Sequence, residues 1–349
     1  MTTPKRKKFS TYPLTSSPLY RLSNKRKLAE LLDIDKEQLN LASSSLSELY
    51  KKYVDGKTKR QIEEPHGLLL DVQRRILKLL SRLELPSYLH SAVKLRSYRT
   101  NAAAHLESAN VFKIDIQKFY RAVKFKSVYL FFLNTLNCAP DIAVLLANLC
   151  TTESADDGRH LPTGSCLSPI VSFLANQQMF ENIAELCKLN SSIFTLYVDD
   201  ITISGANVNH EFMILVAGEI ARAGYRFHKY KSYQARPATV TGLILDRGRI
   251  KLPHKRAKLI RSVEEALNVA SDPTLKAKLL ASLIGRLSEA EHIDTVYKSR
   301  RQAVMTKYAA EWRMITEDRT AKSQIRNTRR CIVRKRIWSP DDLVIKPSL

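Results

Sequence analysis

Two adjacent carboxylates, Asp199 and Asp200, close the run Tyr197-Val198-Asp199-Asp200. On either side, Ile193-Phe194-Thr195-Leu196 and Ile201-Thr202-Ile203-Ser204 alternate apolar and small polar residues, the pattern of two short strands with a hairpin tip between them. Asn-Gly or Asp-Gly is the usual tip of a two-residue hairpin, so Asp-Asp is a poor choice for turn geometry alone. Like charges crowded at rigid strand ends repel unless a cation offsets them. Taken singly, the pair reads more readily as a solvated acidic turn. Asp115, which ends the alternating run Val111-Phe112-Lys113-Ile114-Asp115, lies 84 residues before Asp199 and adds a third carboxylate. A carboxylate at one strand end can meet those at a neighbouring tip. Such a trio could hold two divalent ions ~3.5–4 Å apart, the arrangement that clamps attacking and leaving oxygens in phosphoryl transfer. Oxygen ligands shared with substrate phosphates suit Mg²⁺.

Helices and strands must carry these groups, and the apolar spacing predicts an α+β chain. Leucines at 28, 31, 32, 39, 46 and 49 predict two short helices over 24–54. A helix is expected over 68–84, and helical patterning over 126–150 is divided by Pro140. Ser168-Pro169 reads as a helix start, Ser as N-cap and Pro at the first helical position. The helix it opens would carry Phe173, Phe180, Ile183, Ala184 and Cys187 on one face. A helix over 210–223 and short strands around 225–252 follow, and from Pro253 onward the pattern is helical.

Charge narrows the partner. The 349 residues carry 57 Lys+Arg against 34 Asp+Glu, a net +23, which self-repels unless a polyanion is nearby. Nucleic acid is the first candidate and an anionic membrane surface the second. No apolar run approaches the ~20 residues that span a bilayer, and the basic Met-Thr-Thr-Pro-Lys-Arg-Lys-Lys start is not followed by the apolar stretch of a secretory leader. The five cysteines (138, 150, 166, 187, 331) form no Cys-x-x-Cys pair, which predicts reduced thiols in a cytoplasmic protein. Segment 322–336 holds seven basic residues and no acidic one, with Ile325, Ile332 and Val333 interleaved, and 254–349 carries a net +10. On a helix, several of these cations would share one phosphate-tracking side.

Asp115-Ile116-Gln117-Lys118-Phe119-Tyr120, then Leu161-Pro162-Thr163-Gly164-Ser165-Cys166-Leu167-Ser168-Pro169, then Tyr197-Val198-Asp199-Asp200 stand in an order that resembles motifs A, B and C of reverse transcriptases. Lys57-Thr58-Lys59-Arg60-Gln61-Ile62 with Pro65, Gln73 and Ile76 resembles the fingers pattern of that family, and the resemblance runs from about residue 50 to 250. Asn101-Ala102-Ala103-Ala104-His105 and Val240-Thr241-Gly242 resemble the Asn-Ala-x-x-His and Val-Thr-Gly signatures of bacterial retron reverse transcriptases. Together they favour a retron enzyme over a group II intron, diversity-generating or phage-defence relative.

The resemblance implies a right-hand polymerase. It places an N-terminal arm and fingers in 1–110, a catalytic palm in 111–253 with inserted fingers helices at about 125–165, and a basic helical thumb for RNA and duplex binding in 254–349. It makes Asp115, Asp199 and Asp200 catalytic metal-site carboxylates for two Mg²⁺ ions, with Mn²⁺ a substitute and the backbone of Ile116 beside the first. Lys57, Lys59 and Arg60 would meet the dNTP triphosphate, where a guanidinium fork suits phosphate oxygens. Gly56-Lys57-Thr58 is not a P-loop, because position 51 is Lys where the first glycine is required. Tyr120 would be the steric gate against a 2′-hydroxyl, with a buried core tyrosine as the alternative. Thr163 and Gly164 would form the nucleotide-facing wall, although Thr163-Gly164-Ser165 departs from the Pro-Gln-Gly of many relatives and lacks the glutamine amide. Gly224-x-x-x-His228-x-x-Lys231 resembles motif D, which makes Lys231 a general-acid candidate for the leaving pyrophosphate. Asn101, His105, Val240, Thr241, Gly242, Arg326, Arg329, Arg330, Arg334 and Arg336 are the expected RNA-binding residues.

The implied activity is RNA-directed DNA synthesis on the enzyme's own structured noncoding RNA. The product would be an RNA–DNA hybrid and then RNA-linked single-stranded DNA, used with an effector protein in anti-phage defence and with no membrane partner. The competing expectations are another bacterial reverse transcriptase, group II intron-like or a phage-defence polymerase, and a catalytically silent RNA-binding scaffold. A palm-type nucleotide cyclase fits less well, since the chain lacks the Gly-Gly-Asp/Glu-Glu-Phe type of loop.

Overall fold

The computed structural model describes residues 10–44, 46–228, 230–234, 237–321 and 324. The first elements are α1 (Lys25–Leu32), α2 (Lys36–Ser44), β1 (Tyr50–Val54), β2 (Gln61–Pro65), α3 (Gly67–Leu80), α4 (Tyr98–Ala103), β3 (Asn110–Asp115), α5 (Phe119–Ala122), α6 (Phe125–Leu130), α7 (Pro140–Cys150), β4 (Thr152–Ser154) and β5 (Gly158–His160). The chain continues through α8 (Ser168–Leu174), α9 (Gln177–Leu189), β6 (Ile193–Tyr197), β7 (Asp200–Ser204), α10 (His210–Arg222), β8 (Lys231–Gln234), β9 (Ala238–Val240), β10 (Leu243–Asp246) and β11 (Arg249–Lys251). Three longer helices follow, α11 (His254–Val269), α12 (Pro273–Ile293) and α13 (Val296–Lys307). The architecture is α+β, helices around small antiparallel sheets.

Local chemistry explains several boundaries. Asn24 Oδ1 accepts from the backbone N–H of Arg26 and Lys27 and starts α1. Ser97 and Thr100 form a reciprocal capping box at α4. Asn209 and Asp272 cap α10 and α12 by accepting from Phe212 N and Leu275 N. Pro140 opens α7, where its missing N–H costs nothing.

Three expectations need correction. The helical reading of 24–54 holds only to Leu49, where a 3₁₀ turn over Leu46–Leu49 ends, because Tyr50–Val54 is strand β1, paired with β2. Its Tyr and Val side chains suit a pleated surface and a partner strand is available. Ser168 is not an N-cap. It is the first residue of α8, and its hydroxyl donates to Pro162 O at 2.7 Å. The single helix expected after Pro169 is two, α8 and α9, broken where the Asn176 amide bonds Ser172 O at 2.8 Å and its carbonyl accepts from Tyr225 OH at 2.6 Å.

The chain divides into two compact units, Met1–Arg249 and Ile250–Leu349. The first is centred on a four-stranded antiparallel sheet of order β6-β7-β3-β8. Directly opposed residues share a face. One face carries Phe194, Leu196, Ile201, Ile203, Phe112 and Ile114, all buried in the main core. The other is polar in rows: Tyr197, Asp200 and Asp115 at the tip, then Thr195, Thr202, Lys113 and Lys231. The second unit has its own core of Ile260, Leu267, Leu280, Leu283, Ile284 and Leu287, in which α12 packs against α11 and α13.

Candidate active site

Ladder register brings the carboxylates together. Asp115, last in β3, stands directly opposite Asp200, first in β7, and Ile116 N donates to Asp199 O at 3.1 Å. Tyr197 pairs with Asp200, so the turn residues are Val198 and Asp199 rather than the two aspartates. Val198 has φ 62°, a positive value at the first turn position where a type II′ hairpin favours glycine. A β-branched residue there is strained. Its N–H is held by Ser91 Oγ at 3.0 Å.

Crowding shows in the electrostatics. Burial and then the neighbouring Asp115 push the Asp199 carboxyl up to about 6, Asp200 adds to this, and Arg60 opposes it. Burial also raises Asp200 against the pull of Lys113. Lys113 Nζ lies 2.7 Å from Asp200 Oδ2, while Asp200 Oδ1 is buried with no hydrogen-bond partner among the described residues. Asp115 is about half exposed and its Oδ2 lies 3.8 Å from His228 Nε2. Lys113, Asp115, Asp200, His228 and Lys231 line an open cleft of about 600 Å³. Among the described residues no three His, Cys, Asp or Glu side chains stand close enough together to hold a metal ion. The donor set nevertheless suits a hard divalent ion, since it is all oxygen and leaves one buried carboxylate oxygen unpaired.

The other expected site residues lie on elements packed around this tip. Lys57, Lys59 and Arg60 are exposed in the loop between β1 and β2. Asp55 ties that loop by accepting from Thr58 N and Thr58 Oγ1 at 2.7 and 2.5 Å. Arg60 is close enough for its charge to act on Asp199. Tyr120, in α5, is half-buried, and burial followed by the Asp199 and Tyr197 charges raises its hydroxyl well above the usual tyrosine range. Thr163 and Gly164 dock on β2: Glu63 N donates to Thr163 O at 2.7 Å, and a Cβ on Gly164, whose φ is +130°, would meet Glu63 O at 3.0 Å. Lys231 begins β8 opposite Lys113, one row behind the carboxylates.

Reading the motifs missed the groups that hold this wall. Glu63 is buried, and its carboxylate lies 3.3 Å from His160 Nε2, accepts from Thr163 N at 3.2 Å and pairs with Arg121 at 3.7 Å. Burial alone would raise Glu63, but these partners carry it below the usual carboxylate range. Gln73, fully buried, accepts from Ser165 Oγ at 2.5 Å and donates to Tyr50 OH and Leu149 O. A buried Glu with a His partner gives no spacing signal, because the partners lie on different strands.

The expected RNA contacts fare differently. Asn101 and His105 are 0% and 1% exposed, which removes them from any RNA surface in this fold. Val240 is buried too, whereas Thr241 and Gly242 form the two-residue β9–β10 turn with φ 44° and 73°, the sign pattern of type I′. Arg326, Arg329, Arg330, Arg334 and Arg336 lie outside the described residues.

The fold and site thus define an α+β protein with three carboxylates at the tip of an antiparallel sheet, faced by a cationic loop and a glycine-bearing wall. No protein-family model matches the chain. The chain is 30% identical to the retron Se72 reverse transcriptase of Salmonella heidelberg over 253 residues, 67% of this chain and 65% of that protein. It is 24% identical to the retron Ec48 reverse transcriptase of Escherichia coli over 279 residues, 73% of this chain and 66% of that one. A third relative, the retron Mx65 reverse transcriptase of Myxococcus xanthus, is 28% identical over 189 residues, 50% and 44% of the two chains. These matches, at 24–30% identity over 50–73% of the chain, support a retron reverse transcriptase. The chain matches less than two thirds of the length of each of these relatives. No helix among the described residues is long and apolar enough to cross a membrane.

Proposed function

We propose that this chain is an RNA-directed DNA polymerase that copies a structured noncoding RNA into RNA-linked single-stranded DNA. The observation that carries the reading is the register pairing of Asp115 with Asp200, both on the wall of a cleft, beside an Asp199 whose carboxyl is raised by burial and by Asp115. Asp115, Asp199 and Asp200, with the Ile116 backbone, would hold two Mg²⁺ ions, or Mn²⁺ in their place. When bound, these ions supply charge stabilisation at the attacking and leaving oxygens of the phosphoryl transfer.

The remaining roles belong to the chain's own groups. Arg60, with Lys57 and Lys59, neutralises and orients the dNTP triphosphate. Tyr120 excludes the 2′-hydroxyl, and the Thr163-Gly164 backbone lets the nucleotide approach closely. Lys231, on the cleft wall, is the proton donor for pyrophosphate. In this reading the first unit supplies fingers and palm and the helical second unit the thumb, as in a right-hand polymerase. Thr241 and Gly242 with the C-terminal arginines meet the RNA, and an effector protein in anti-phage defence uses the product. Two rivals, a silent RNA-binding scaffold and another bacterial reverse transcriptase, are separated from it by one experiment. The gene is expressed with its flanking DNA, and nucleic acid is examined for RNA-linked single-stranded DNA in wild type and in Asp199→Asn/Asp200→Asn. DNA in the wild type alone is expected. Persistence of the product in the double variant overturns the site assignment, and absence from both favours one of the two rivals.

A further inference from the structure

Asn101, Ala102 and His105 are buried, and what His105 touches there gives it a different task. Its ring lies across the hairpin that carries the carboxylates. Nδ1 is 2.6 Å from Ser204 Oγ on β7, and Nε2 is 2.7 Å from Thr195 Oγ1 on β6. Ser204 Oγ donates onward to Ser108 Oγ at 2.9 Å, so its single proton is committed. With that direction the neutral ring donates from Nδ1 to Ser204 and accepts at Nε2 from Thr195, and the reverse tautomer serves the same two contacts if Ser108 is the donor to Ser204. Either neutral tautomer satisfies every group. Burial favours the neutral ring, holding the imidazole down to about 3.

The contacts fall where they restrain the tip. Thr195 pairs with Thr202 and Ser204 with Ile193, the two rows behind the closing pair Tyr197–Asp200. A ring bonded to both strands resists their sliding and splaying there. Turn residue Val198 is strained, so the tip needs such restraint from outside. The outer edge of β6 is held separately, by His90 N donating to Leu196 O and Leu196 N to Tyr88 O, both at 2.8 Å. The helix that leads into His105 is tied in turn: Thr241 Oγ1 donates to Tyr98 O at 2.7 Å, and His90 Nδ1 lies 2.8 Å from Thr100 Oγ1. Both retron-type signatures therefore meet through α4.

We propose that His105 is a positioning residue that cross-ties β6 and β7 through Thr195 and Ser204 and so fixes the tip bearing Asp199 and Asp200, with Thr241 anchoring the helix that carries it. The inference rests on the polymerase reading for its kinetic consequence but not for its structural one. The test compares Thr195→Val, which removes the hydroxyl, with Thr195→Ser, which keeps it, alongside His105→Asn. Single-nucleotide extension on an RNA template gives kcat and KM, and hydrogen exchange reports the amides of 193–204. Thr195→Val and His105→Asn are expected to lower kcat about tenfold or more with KM for dNTP nearly unchanged. Their hairpin amides exchange faster, and Thr195→Ser stays near wild type in both measurements. Unchanged exchange in Thr195→Val and His105→Asn overturns the brace, as does a Thr195→Ser variant as impaired as Thr195→Val. If wild type extends no primer, the proposed function falls, while hydrogen exchange still decides the brace.

Discussion

At the scale of single residues, the site is an imbalance of charge held in place by one lysine. Asp200 and Lys113 keep only 19% and 17% of their side-chain surface in water, so each is costly to leave alone. Lys113→Met should therefore destabilise the metal-free protein by about 1–3 kcal/mol, less than a fully buried pair would lose because water still reaches both groups. Urea denaturation without and with Mg²⁺ measures it. The variant should gain more stability from the ion than wild type does, since Asp200 has lost its directly bonded cation and keeps only the weaker pull of Lys231. An unchanged midpoint in metal-free buffer would show that Lys113 is spectator to the carboxylates. Tyr120 sits where Asp199 and Tyr197 both act on its hydroxyl. Tyr120→Ala should raise incorporation of ribonucleotides relative to deoxyribonucleotides by about tenfold or more, read from competing single-turnover extensions. Unaltered sugar discrimination would remove the gate assignment and leave the ring as core.

At the scale of elements, His105 links a side chain to the hairpin's stability and makes a pH prediction with a definite sign. An exposed histidine titrates at 6.5, whereas this one is held down to about 3 by burial, with His90 adding like charge. Between those values the unfolded chain binds a proton that the folded chain refuses. Its contribution is therefore complete above about pH 6.5 and is lost as pH falls toward 3, by at most ~1.4 kcal/mol per unit. Urea midpoints taken from pH 7 down to 4.5 should fall more steeply for wild type than for His105→Asn. Parallel slopes would mean that the ring is already protonated or exposed. Local alternation made the β6–β7 hairpin and β3 legible in the chain, since period-2 apolar residues must face one core. What stayed hidden depended on partners distant in sequence. Tyr50–Val54 becomes a strand because β2 lies beside it, and α8 ends where Tyr225 captures Asn176. His105 looks like a surface signature until Thr195 and Ser204, 90 and 99 residues later, close over it. The three aspartates could be gathered from order and spacing, but not the Glu63–His160–Arg121 support beneath the wall, which no motif encodes.

At the scale of the whole molecule, the excess of +23 has to be reconciled with a cleft that carries Asp115 and Asp200 at its tip. The two need not compete, because the carboxylates act over a few ångströms while the cationic excess acts on a polyanion over a Debye length. Phosphate contacts then supply most of the affinity and little of the sequence choice. Binding of the cognate RNA should weaken steeply between about 50 and 200 mM salt, by roughly a thousandfold if six or more phosphates are neutralised. Replacing Arg326, Arg329, Arg330, Arg334 and Arg336 together with Gln removes five of the cations that segment 322–336 carries. If each neutralises one phosphate, the slope of log affinity against log salt should become shallower by about 3.5 to 4.5 units. Single-turnover extension on saturating RNA should change little if the five act only by holding the template. An unaltered slope would place the phosphate contacts on the first unit and on helices α11 to α13 instead. A loss of extension at saturating RNA would mean that the segment does more than hold the template.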